Sequence, residues 1–192
     1  MMTLEEHKSR EARSKKLILI FAMISMVMMF AGLTSAYVVS KSRRDWLKDF
    51  ELPSAFFYST AAIILCSVFF ILAKNAIKND NKSRTTLFLV LTLVASIVFV
   101  VFQFSGFESL FQNHLYPTGN SGSVTISFLY ILVLAHLAHL SGGLLALLII
   151  LYKQLKGKYN AQNYLGIELG AMYWHFLDLL WVYLFLFLYF FK

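Results

Sequence analysis

The sequence predicts an all-α polytopic membrane protein, a five-transmembrane-helix bundle with its N-terminus cytoplasmic and its C-terminus periplasmic. Three observations predict it. Of 192 residues, 59% are hydrophobic and 17% aromatic, too much apolar side chain for a soluble core, so the bilayer must be the solvent for most of it. Five apolar runs, at 17–39, 54–73, 86–107, 126–151 and 171–191, each reach or exceed the roughly 17–25 residues of a spanning helix. Lys and Arg gather on one set of loops, 12 on the side of the N-terminal tail against five on the other. Basic residues accumulate on the cytoplasmic side, and an odd number of spans sends the C-terminus to the opposite side.

Residues 1–16 read as a cytoplasmic tail of alternating acids and bases, able to lie along the membrane surface as a short helix, and 17–192 as a single membrane domain. The first run is too long and starts too late for a signal peptide, and it lacks a small-residue cleavage pattern. Its Met23, Met26, Met28 and Met29 suit the filling of irregular gaps between helices. The loop that follows resists the charge rule, because Lys41, Arg43, Arg44 and Lys48 lie on the external side. Its DWLKDFELP stretch reads either as an interfacial helix, with Trp46 and Phe50 at headgroup level, or as a solvated loop. Pro53 opens the second run, which holds the lone Cys66, unable to form an internal disulfide. Gln103 and Ser105 close the third run. YPTGNSGS then forms a polar, turn-rich linker.

The fourth and fifth runs carry the chemistry. His136 and His139, three residues apart, are expected on one face near mid-span, with Gly142 and Gly143 a turn later permitting close helix approach. The pair is open to three readings: an interhelical hydrogen-bond pair, a water or headgroup contact, or ligation of zinc or haem iron. No carboxylate or Cys is near it in sequence to complete a metal site. Glu168, His175 and Asp178 follow at spacings of seven and three, a stripe along the fifth helix. A charge at the centre of a spanning helix costs roughly 2.5–3.5 kcal/mol, so Asp178 needs a partner, water or a proton. The stripe reads as a polar clamp between helices or as a path for protons. Trp174 is expected as an interface anchor and Trp181 as packing or cleft lining.

No cysteine pair, nucleotide loop or haem-ligand set is present, so no catalytic or metal residue is assigned, and redox chemistry would need another subunit. The formal charge of +7 follows from topology and does not call for nucleic acid. A solute transporter would be expected to line a path with polar residues on broken helices; polar residues here are sparse and no span contains Pro.

Together these residues resemble subunit III of the haem-copper respiratory oxidases. The fifth helix carries the likeness most specifically, through Glu168, Tyr173, Trp174, His175, Phe176, Asp178 and Trp181. His136, His139 and Gly143 match the fourth helix of that family, Phe30, Ala31 and Gly32 the first, and Gln103 the end of the third. The resemblance covers nearly the whole chain and implies the short, five-helix bacterial form, without the two extra helices that enclose a V-shaped cleft in longer members. Two carboxylates of many relatives are replaced, by Met26 and Gly106, so roles depending on them do not transfer.

The resemblance implies a non-redox accessory subunit of a proton-pumping cytochrome c oxidase in the bacterial cytoplasmic (inner) membrane. It would stabilise catalytic subunit I, contact subunit II, support proton uptake on the cytoplasmic side and hold structural phospholipids, with haems and copper in the partners and a respiratory supercomplex as a further setting. A quinol oxidase and a nitric oxide reductase system would use much the same chain. Glu168, His175, Asp178, His136, His139 and Gln103 would then serve helix packing or proton uptake, and Trp46, Trp174, Trp181, Gly32, Gly142 and Gly143 a lipid or subunit interface.

Overall fold

The computed structural model describes residues 4–43, 46–47, 51–119 and 122–191. They form five helices, α1 Leu4–Ser40, α2 Ala55–Lys78, α3 Lys82–Gln112, α4 Val124–Leu155 and α5 Leu165–Phe190, each long and apolar enough to cross a membrane. No strand occurs among the described residues. The chain is an all-helical, multi-pass membrane protein.

Most of these helices outrun the apolar runs that mark them, because a helix ends where its backbone is capped and not where its side chains turn polar. The difference is largest in α1. Its charged start is continuous with the spanning part, whereas a separate surface helix was expected. No Gly or Pro interrupts the chain before Gly32, and a Glu11–Lys15 pair at 2.6 Å supports the early turns. At 37 residues the helix is about 55 Å long, well beyond a hydrocarbon core of about 30 Å.

Three helices stop in the same way. After α2, α3 and α4 the chain takes positive φ at Asp80 (51°), His114 (59°) and Gly157 (66°). The amide of that residue and the one after it fold back on the last turn, as in Gly157 N–H to Gln154 O at 2.9 Å and Lys158 N–H to Lys153 O at 3.1 Å, which satisfies carbonyls that the helix itself leaves free. The resulting α2–α3 turn is so short that these two helices form an antiparallel hairpin. Its Asp80 also accepts a hydrogen bond from Ala161 N–H at 3.4 Å, and Gln154 donates to the Lys82 carbonyl at 3.2 Å. The two turns at the basic end of the bundle are thereby joined.

α5 is the centre of the bundle, packed on α1, α2 and α4. In its most apolar stretch 56% of residues are buried, against 11% in that of α1. α1 docks through one stripe, Phe30, Thr34 and Tyr37, and leaves its remaining apolar face outward. Thr34 Oγ1 meets Tyr183 Oη at 3.2 Å, and the Tyr37 ring packs on Trp46, Phe128 and Phe187.

Trp46 corrects an expectation. Its ring is 8% exposed and stands edge-on to Tyr37 at 4.7 Å, so it packs inside the protein and not at a lipid interface. Leu47 N–H donates to Thr125 Oγ1 at 2.9 Å, pinning the connection to the start of α4. Trp46, Leu47 and residues 51–53 are not helical; Asp45, Lys48, Asp49 and Phe50, the rest of the interfacial stretch, lie outside the described residues, as does Arg44 before it.

Candidate functional site

A polar centre sits between α2 and α5. Asp178 is 4% exposed, and Ser67 of α2 donates its hydroxyl to Asp178 Oδ2 at 2.5 Å, a distance typical of an O–H donor on a carboxylate. The same Oγ lies 2.9 Å from His175 Nδ1. A serine has one proton to give, so when it goes to Asp178 the contact with His175 requires a proton on Nδ1 and leaves Nε2 as an acceptor. His175 is half-buried at the α2/α5 surface, roughly 15 Å along α5 from its start. Asp178 Oδ1 has no hydrogen-bond partner among the described residues.

Glu168 does not extend this centre. It sits in the first turn of α5, where a carboxylate favours the helix dipole, and accepts a bond from Lys16 Nζ of α1 at 2.8 Å. The expected stripe therefore divides into an ion pair towards α1 and a buried acid–hydroxyl–imidazole group towards α2.

The two histidines of α4 also part company, which corrects their reading as a hydrogen-bond pair on one face. His136 is fully buried, with Phe99 at 6.0 Å and Trp181 at 5.1 Å between ring centroids. Neither of its nitrogens has a partner among the described residues, so its contacts are those of an aromatic ring. His139 turns towards α1, 5.8 Å from the Phe30 ring, and its Nδ1 donates to the Ala135 carbonyl of its own helix at 2.7 Å. Tyr173 Oη in turn donates to the His139 carbonyl at 3.0 Å. Rings that face different neighbours cannot share one metal ion.

Trp174 and Trp181 are 0% and 1% exposed; as with Trp46, the expected interfacial place of Trp174 is corrected to the interior, whereas Trp181 takes the packed place that its depth in the helix predicts. Trp181 Nε1–H donates to Thr60 Oγ1 at 3.0 Å, and Gln103 Nε2–H to Ser59 Oγ at 2.8 Å. Both hydroxyls donate onward to the Phe56 carbonyl of their own helix. Ser59, Thr60 and Ser67 were not singled out in the sequence, because a Ser or Thr in a spanning helix satisfies itself on the carbonyl three or four residues back. One signal was available: all three fall within little more than two turns on the α2 face that also carries Cys66.

Close helix approach accounts for Gly143 and not for Gly142 or Gly32. A Cβ on Gly143 would meet Leu177 Cδ1 at 3.1 Å and Tyr173 Cε1 at 3.3 Å, whereas one on Gly142 would meet only Tyr173 Oη at 3.8 Å and one on Gly32 nothing within 4 Å. Gly143→Leu is expected to separate α4 from α5 and cost about 1–3 kcal/mol, read as a lower midpoint in thermal unfolding in detergent. Gly32→Leu should leave that midpoint unchanged; equal losses would show that Gly143 does not set the helix spacing.

A family model described as cytochrome c oxidase subunit III matches residues 3–192. The chain is 27% identical over 188 residues to cytochrome c oxidase subunit 3 of Thermostichus vulcanus, covering 96% of this chain and 90% of that one. It is 27% identical over 165 residues to the protein of that name from Synechocystis, covering 83% and 68%. For the protein of that name from Spodoptera frugiperda the figures are 29% over 141 residues, covering 73% and 89%.

Proposed function

Since the chain belongs to the cytochrome c oxidase subunit III family, we propose that it is the non-redox accessory subunit of a proton-pumping oxidase in a bacterial inner membrane. In this reading it stabilises catalytic subunit I, contacts subunit II and supports proton uptake from the cytoplasm. The haems and copper belong to those partners. The observation that carries the proposal is the α2–α5 centre, a buried carboxylate bonded to a serine that also meets a half-exposed imidazole. An intramembrane acid is costly to retain, and its exchangeable proton is a property that an apolar helix contact lacks.

The basic end of the bundle, with 12 of the 17 Lys and Arg, is taken as cytoplasmic, which puts Glu168 at that surface and the Ser67 centre a few turns inside. Structural phospholipid is part of the same proposal. A cleft of about 450 Å³ between α1, α4 and α5 is lined by Leu19, Ala146, Ile149 and Tyr173, with Lys153 at its basic end, a combination suited to acyl chains below an anionic headgroup.

Purification of the native membrane complex through a tag on the N-terminus tests the assignment. Haem bands in the reduced-minus-oxidised spectrum, with a catalytic oxidase subunit among the co-purifying chains, are the expected result. A copper-binding subunit II would identify cytochrome c as donor, and its absence would favour a quinol oxidase. An intact complex free of haem would overturn the oxidase reading.

A further inference from the structure

We propose that Ser67 is a proton shuttle, and that it makes Asp178 an internal proton-binding site loaded from the α2/α5 surface through His175. The inference deepens the proton-uptake part of the function above and rests on that reading for its place in an oxidase, although its geometry belongs to this chain alone.

The Ser67 oxygen is shared, 2.5 Å from Asp178 Oδ2 and 2.9 Å from His175 Nδ1. Both are hydrogen-bond distances, so the three groups form one unbroken chain from a half-exposed ring to a buried carboxylate. In the starting state His175 carries its proton on Nδ1, Ser67 is a hydroxyl and Asp178 is ionised. A proton arrives at the His175 Nε2 lone pair and forms an N–H bond. The Nδ1–H bond then breaks as its proton passes to Ser67 Oγ, and the former hydroxyl proton of Ser67 passes to Asp178 Oδ2. The products are His175 protonated on Nε2, the serine hydroxyl restored and a neutral Asp178. One proton has entered and one is stored, with no oxidant or reductant involved. Asp178 Oδ1, buried and without a partner among the described residues, carries negative charge that no donor offsets, so proton capture at this carboxylate relieves an unfavourable state.

Titratable side chains near the trio are few. α2 contributes Cys66 and Lys74, α5 Glu168 and Tyr173, and α4 His136 behind Trp181. Cys66 Sγ donates to the Thr92 carbonyl, Glu168 is held by Lys16 and Tyr173 bonds the His139 carbonyl. Among the described residues, none of these side chains is hydrogen-bonded to Ser67, His175 or Asp178, so Ser67 Oγ is the only link between ring and carboxylate.

The test uses the full chain in lipid nanodiscs and infrared difference spectroscopy. A carboxylic acid C=O band should grow as pH falls and vanish in Asp178→Asn. After transfer to D₂O the band shifts as its proton exchanges, and Ser67→Ala should slow that shift about tenfold or more. Ser67→Thr, which keeps the hydroxyl, should restore it. A purely structural serine would alter stability and leave the exchange rate alone. Exchange in Ser67→Ala at the wild-type rate, or a carboxyl band unaffected by Asp178→Asn, would overturn the proposal. Because the measurement needs no partner subunit, its failure is distinct from failure of the oxidase assignment.

Discussion

Trp181→Ala is expected to cost about 2–4 kcal/mol of helix-bundle stability. The indole is 1% exposed and lies where four helices meet, with Phe56 of α2 at 6.1 Å, Phe99 of α3 at 5.2 Å and His136 of α4 at 5.1 Å from the α5 ring. In a soluble core a Trp truncation combines a transfer loss with a cavity. In a membrane the unfolded reference already sits in hydrocarbon, so the transfer part shrinks and the cavity and lost dispersion contacts dominate. The hydrogen bond to Thr60 is lost as well, but that hydroxyl keeps its bond to the Phe56 carbonyl at 2.7 Å, so no buried donor is stranded. Trp181→Phe should recover about half of the loss, since it restores ring contacts and not the N–H. Unfolding by SDS titration in mixed micelles measures both. A change below about 1 kcal/mol for the alanine variant would mean that the four-helix contact closes around the gap.

Asp178→Val should move stability in the opposite direction, raising it by about 1–3 kcal/mol, while impairing the assembled oxidase. A buried carboxylate with one oxygen unpartnered loses its hydration and recovers one hydrogen bond, from Ser67. Replacing it by an apolar side chain removes the desolvation cost, and Ser67 retains His175 as a partner. The sign of the change decides between the two readings of this acid. A polar clamp between α2 and α5 would weaken on substitution, whereas a group kept for its proton would be relieved of a burden. The expected result is a higher SDS midpoint for the isolated chain, together with slower proton uptake and an unchanged haem spectrum in the purified complex. Loss of stability would identify Asp178 as a structural clamp. Altered haem ligation would remove it from the role proposed for it.

The helices were legible because each is a long apolar run bounded by polar residues, and that pattern survives any packing arrangement. Their ends were less so. The caps at Asp80 and His114 use positive φ at residues other than glycine, where composition offers no warning, and only Gly157 follows the usual preference. Among the site residues, Asp178 and His175 announced themselves by the cost of a polar group at membrane depth. Ser67 did not, since its hydroxyl is cheap to bury, and its importance lies in a neighbour 111 positions away. Trp46 and Trp174 were misplaced for a related reason: an indole is equally at home at a headgroup interface and in a packed core, and only the partner decides.

Length, hydropathy and the distribution of Lys and Arg by themselves determined that this chain crosses a membrane five times, and the Glu168 to Trp181 motif pointed to its family. These are properties of the solvent and of single helices, and they need no knowledge of which helices touch. Tertiary structure alone decided that α5 is the centre and α1 a lightly attached flank. It also decided that His136 and His139 face different neighbours, that Glu168 belongs to Lys16, and that Ser67 joins His175 to Asp178. Helices in lipid gain little from burying one apolar face rather than another. Their mutual rotation is set by close steric fit and by a few hydrogen bonds between distant positions, neither of which has a period that can be read along the chain.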